Sequence, residues 1–177
     1  MKKFELTSET KINIFGKKLF RIKALVSFGV VKTGETGGWV EKEENVNQSG
    51  DAWVFGNAEV FGNARVSGDA RVFDNAMVFG NARVSGDAWV SGDAWVFGNA
   101  EVFGNAEVFG NAEVFGNADY TTIHGFGTQF RTTTFFRCKD KQVKVSCGCF
   151  YGTIPEFREQ VKNTRDGKIA EEYLMIA

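Results

Sequence analysis

Hydrophobic and polar positions alternate through the middle of the chain in a pattern that restarts every six residues. From Val54 to Asp119 the sequence divides into eleven hexads, VFGNAE VFGNAR VSGDAR VFDNAM VFGNAR VSGDAW VSGDAW VFGNAE VFGNAE VFGNAE VFGNAD. Across each joint, Ala and Val occupy one parity, and the variable residue and Phe or Ser the other. That is the period of two of a short strand. Gly-Asn or Gly-Asp follows, and both tolerate the left-handed backbone of a sharp corner. A helix is excluded, because a Gly-Asn pair every six residues would break it and six matches neither helical period. Each word therefore encodes one side and one corner. Repeated, it closes into a parallel β-helix whose coils hydrogen-bond to one another.

The aliphatic residue followed by a small residue four later, every six, resembles the hexapeptide repeats of left-handed parallel β-helices. That resemblance implies the hand and three hexads per triangular coil. On that count Val54, Val72, Val90 and Val108 stack inward, as do Val60, Val78, Val96, Val114 and Val66, Val84, Val102. Ala lines the corners, and Asn63, Asn81, Asn99 and Asn117 align as an amide ladder. Val40 and Val46 extend the core backwards, and the eight residues from Val46 to Val54 require a two-residue bulge near Gln48–Gly50.

Outward, one face carries the row Phe61, Phe79, Phe97, Phe115 beside Glu59, Met77, Trp95, Glu113. The second carries Trp53/Phe55, Arg71/Phe73, Trp89/Ser91 and Glu107/Phe109. The third, the most polar, carries Arg65/Ser67, Arg83/Ser85, Glu101/Phe103 and Asp119/Thr121. An open row of Phe with Met77 and Trp95 exceeds what soluble monomers leave exposed. It is expected to be a subunit interface; the alternative is that a flanking segment of the same chain covers it. Proteins with similar β-helices are usually trimers, which makes a homotrimer the favoured assembly by analogy.

The flanks read differently. Residues 11–29 form a hairpin that turns at Gly16–Lys18 and caps the first coil. TTTFFRCK and QVKVSCGCF form a second hairpin that turns at Asp140–Lys141. Parity places Val143, Val145, Cys147 and Cys149 on one face, and Thr134, Phe136 and Cys138 share a face of the first strand. Thr153-Ile-Pro-Glu156 is a capping box opening a helix to about Thr164, and a second helix starts at Lys168. The expected class is mainly β, with an N-terminal cap over 1–38, a repeat body over 39–122 and an α+β module over 123–177. The segments Phe20–Val54 and Gly125–Phe157 are similar to the ends of uncharacterised phage and prophage β-helix proteins.

Composition narrows the chemistry. A net charge of −1 gives no footprint for a nucleic-acid polymer. No apolar run reaches membrane length, and MKKFELTSET lacks a signal-peptide core. Three clustered cysteines then read as reduced thiols in a cytosol, that of the infected or lysogenic host if the phage resemblance holds. Cys138, Cys147, Cys149 and His124 contain the elements of a Cys3His zinc site, but C-x-C is not its usual spacing, and small buried hydrophobes are the better reading. No metal or cofactor is expected. Many similar hexapeptide-repeat proteins are acyltransferases with a histidine base. The one histidine, His124, follows the repeat, and no long loop builds a pocket for it. No column of threonines suits ice.

GFGTQFRTTTFFR is the weak candidate for an anion site. Gly127 permits close approach, Arg131 and Arg137 offer guanidinium groups, Thr133 shares their face and Phe130 can stack on a base. For both arginines to meet one small ligand the strand must bend near Thr132–Thr134. The resulting expectation is a non-enzymatic, oligomeric counter-defence protein that sequesters a host immune nucleotide signal or blocks a host defence protein. Acyl transfer and a purely structural spacer are the alternatives.

Overall fold

A computed structural model describes residues 2–127 and 131–177. The order begins with β1 (Phe4–Ile12), β2 (Lys18–Ala24) and β3 (Thr36–Val40), followed by a short 3-10 turn over Glu43–Asn45. Eleven two-residue strands come next: β4 (Trp53–Val54), β5 (Glu59–Val60), β6 (Arg65–Val66), β7 (Arg71–Val72), β8 (Met77–Val78), β9 (Arg83–Val84), β10 (Trp89–Val90), β11 (Trp95–Val96), β12 (Glu101–Val102), β13 (Glu107–Val108) and β14 (Glu113–Val114). The chain closes with β15 (Tyr120–Phe126), β16 (Arg131–Arg137), β17 (Val143–Cys147), β18 (Phe150–Thr153), α1 (Ile154–Thr164) and α2 (Gly167–Ile176).

The eleven short strands form a parallel β-solenoid of about four turns. Every third strand pairs in register, as in Val60 with Val78, Val78 with Val96 and Val96 with Val114. The three predicted valine columns and the repeat alanines from Ala52 to Ala112 are buried. Corners stack as closely as coils do. Gly86 has φ +69°, and a Cβ there would lie 2.9 Å from the Gly104 nitrogen. The one hexad without this glycine places Asp74 at φ +59°, where its Oδ2 accepts the Gly92 N–H at 3.1 Å. The amide ladder runs from Asn63 to Asn81 (3.2 Å) and from Asn81 to Asn99 (3.1 Å). It stops at Asn117, which instead accepts the Glu101 N–H, because the chain leaves the solenoid there.

The first coil is two residues longer than the rest: Val40 pairs with Val60 and Val46 with Val66, whereas Val54 pairs with Val72. Gly50 already stacks on Gly68. Asn47 still follows the register of Val46, so the extra residues are Gln48 and Ser49, within the expected stretch. Gln48 and the nearby Asn45 anchor this coil. The Gln48 Oε1 accepts the N–H groups of Lys3 and Phe4, and its amide donates to the Phe4 carbonyl. The buried Asn45 amide donates to the Gly62 and Ala64 carbonyls.

Both ends of the solenoid are closed. β1 and β2 form an antiparallel hairpin longer than the sequence implied, and β2 pairs with β3 to extend the first-face sheet. Trp53, expected on the outside, is buried between Phe4 and Phe28 of this cap. At the other end, β15–β18 form a four-stranded antiparallel sheet. It begins at Tyr120, so it takes the last three residues of the segment first assigned to the body. One face of this sheet, with Phe136 and Cys138, packs on the last coil, while Phe135, Val145 and Cys147 pack on α1 and α2 through Phe157, Val161 and Tyr173. Thr153 and Glu156 make the predicted capping box at α1.

Candidate functional site

The first face is an aromatic stack, as its six-residue period required. Phe61 and Phe79 lie 5.0 Å apart and parallel, Phe79 and Phe97 4.9 Å apart, and Phe115 meets Phe97 edge-on at 5.2 Å. The hairpin tip reaches across the top of this stack. Phe15 contacts Phe61, Phe79 and Trp95. Asn13 donates to Glu59, which also pairs with Lys11 at 2.7 Å. Phe61 is therefore only 4% exposed. This corrects its expected place in an open interface: the chain's own cap covers it. Phe115 remains 60% exposed, with Met77, Phe79, Trp95 and Phe97 half-buried. The cap also adds apolar surface of its own, with Ile12 and Ile14 about two-thirds exposed beside Phe15. The net result is a continuous apolar ridge from the hairpin tip to the last coil.

The anticipated anion site is not assembled. β16 pairs with β17 from Thr133 to Arg137, its ladder with β15 is irregular between the Ile123–Thr133 and Phe126–Arg131 pairs, and Arg131 and Arg137 stand at its opposite ends. Arg137 pairs with Asp119 at 3.0 Å. Thr133 is fully buried under the helices and donates to the Cys147 sulfur at 3.2 Å, so its hydroxyl is unavailable to a ligand. Arg131 instead folds over Gly148, near a small cleft that also involves Arg165 and Tyr173. Burial pushes the Tyr173 phenol up. Gly127, at φ +69°, lies where a Cβ would come within 2.6 Å of the Tyr173 hydroxyl, so its small size serves packing. Phe130 lies outside the described residues.

The catalytic and metal candidates are equally dispersed. His124 is exposed on β15, and its Nδ1 is 2.9 Å from the Thr132 hydroxyl. Thr132 is its one hydrogen-bonding partner among the described residues, and it is not a carboxylate. Cys138 and Cys147 lie on opposite faces of the module sheet, and Cys149 is exposed in the turn after β17, so one ion cannot gather all three. Burial pushes the Cys138 thiol up, away from the thiolate that a metal requires.

Sequence reasoning offered cover by a flanking segment only as the alternative, and it did not identify the hairpin tip as that segment. Its signal was a Phe at the turn of KINIFGKK, where turns ordinarily carry polar residues. It also missed the anchoring roles of Asn45 and Gln48, since polar residues in a non-repeating stretch carry no period to read.

Architecture and faces thus define a parallel β-solenoid closed at both ends. Residues 70–86 and 78–92 match the family model described as the YdcK beta solenoid repeat. No curated protein matches the chain.

Proposed function

We propose that this protein is a non-enzymatic binding scaffold that self-associates laterally and acts by protein–protein contact. The observation that carries the reading is the apolar ridge of Ile12, Ile14, Phe15, Trp95, Phe97 and Phe115, exposed or half-buried on an otherwise well-packed body. The N-terminal hairpin and the C-terminal module stand over the two end coils and hinder end-to-end stacking. Lateral association is the remaining geometry, and closed symmetry, with a trimer favoured by analogy, satisfies a ridge on one of three faces. The resemblance of the flanking segments to phage proteins, read from the sequence, supports a counter-defence role, with a host defence protein as the proposed target. Dispersal of Arg131, Thr133 and Arg137 makes protein blocking a better account than nucleotide sequestration at those residues. An uninterrupted solenoid and a histidine remote from any carboxylate partner weigh against acyl transfer.

Co-expression in a bacterial host carrying an active defence system tests the role. The wild type restores phage propagation and Phe97→Asp loses the effect. Full protection by a folded, monomeric Phe97→Asp would overturn the link between assembly and action.

A further inference from the structure

A concavity on the third face lies away from both the apolar ridge and the C-terminal module. It is a trough of about 660 Å³ lined by Arg65, Arg83, Ser67, Ser85 and the segment from Glu43 to Gln48. A regular solenoid face is flat, so this hollow has two specific causes. Below β6 the regular strand is shortened to the single Val46–Val66 bridge, flanked by the 3-10 turn and the two-residue insertion, and residues of this irregular stretch line one side of the trough. In the row where other hexads place Phe, residues 67 and 85 are Ser, so the floor is low.

The charge arrangement is the informative part. Arg65 and Arg83 are direct neighbours in the parallel register of β6 and β9, one strand spacing apart. Like charges directly opposed in a sheet are destabilising. Arg65 has no ion pair or hydrogen bond among the described residues, and Arg83 has only a long contact of 3.8 Å with an exposed Glu101. Two neighbouring arginines and two serines lining one trough offer the donors that a phosphate group takes, since its oxygens accept bidentate Arg contacts. The opposite wall is different. Glu43 is neutralised by Lys2, but Glu44 is exposed and has no ion pair among the described residues. A bare inorganic anion gains nothing from Glu44, whereas a ligand carrying hydroxyl or amino donors at its other end does.

We propose that this trough binds a small phosphate ester with hydrogen-bond donors distal to the phosphate, the chemistry of a nucleoside or sugar monophosphate. Arg65 and Arg83 hold the phosphate, Ser67 and Ser85 donate to it, and Glu44 accepts from the distal donors. The inference goes beyond the assembly reading and is independent of it, because the ridge is on another face.

Titration calorimetry of the full chain with adenosine monophosphate, ribose 5-phosphate and inorganic phosphate tests it. Both esters bind more tightly than inorganic phosphate. Arg65→Ala and Arg83→Ala each weaken ester binding at least tenfold, and Glu44→Gln narrows the margin over inorganic phosphate. Lys162→Ala, which removes a charge from α1 of the module, leaves affinity unchanged, and so does the ridge variant Phe97→Asp. Far-ultraviolet circular dichroism confirms that each variant is folded. Absence of ester binding overturns the proposal. So does binding unchanged in both arginine variants, an equal loss in Lys162→Ala, or inorganic phosphate binding as tightly as the esters.

Discussion

Stacked corners make a prediction that separates coil-to-coil packing from ordinary glycine effects. Gly86 and Gly104 occupy equivalent corners with nearly the same backbone, φ +69° and +65°. A Cβ on Gly86 would meet the Gly104 nitrogen at 2.9 Å and its oxygen at 3.0 Å, whereas a Cβ on Gly104 would meet nothing within 4 Å, because no further coil covers that corner. In Gly104→Ala only backbone terms change. The left-handed conformation costs about 1–2 kcal/mol, and reduced freedom of the unfolded chain offsets about 0.4–1 kcal/mol. The net destabilisation is about 1 kcal/mol. In Gly86→Ala the same terms apply, but carbon contacts also require about 3.5–4.0 Å. The coils must then part by roughly 0.5–1 Å at that corner, and such overpacking costs typically about 1–3 kcal/mol. The total becomes roughly 2–4 kcal/mol. Urea unfolding followed by circular dichroism measures both. Equal destabilisation of the two variants would refute the claim that corner stacking, and not glycine's backbone freedom alone, fixes residue type at this position.

Other perturbations follow from the same geometry. Val78→Asp and Val96→Asp place an unpaired charge in a dry core and abolish cooperative unfolding, whereas Glu101→Ala on the polar face shifts the melting midpoint little; similar shifts for the two classes would contradict the inside–outside assignment. Lys3 is buried against the Gly50 and Ala52 carbonyls, and burial lowers its ammonium to about 8 from an ordinary 10.5. The penalty for its charge is fully present below about 8 and is relieved as pH rises towards 10.5, because the unfolded chain then binds the proton that the folded chain has released. Stability relative to Lys3→Met therefore rises over that interval, and a flat difference would contradict it. His124→Ala leaves protection by the scaffold intact; loss of activity in a folded variant would revive the acyltransferase reading.

The repeat body was legible because its signal is redundant. Eleven copies of one word leave no other period, and a position that is Val or Ala every time has one environment. The capping box at Thr153–Glu156 was legible for a related reason, since its chemistry is local. What depended on chain segments meeting at a distance was not legible. Nothing in KINIFGKK states that Phe15 lies over Phe79, nor does RTTTFFR state which face of its strand the helices cover. Strand parity puts Arg131, Thr133 and Arg137 on one face, but burial of Thr133 removed its hydroxyl and the two arginines stand at opposite ends of the strand. The trough on the third face was written as Ser67 and Ser85 against Phe, yet it takes shape only beside the irregular first coil.

The ridge is the claim on which the functional reading rests. Sedimentation velocity at micromolar concentration, with wild type, Phe115→Asp and Arg83→Asp compared, tests it most directly. Phe115 is 60% exposed and Arg83 is on another face, so both variants keep the core intact. The account predicts that wild type and Arg83→Asp sediment as the same oligomer and that Phe115→Asp sediments as a 19.6 kDa monomer. A monomeric wild type, or an oligomer that survives Phe115→Asp unchanged, would contradict it.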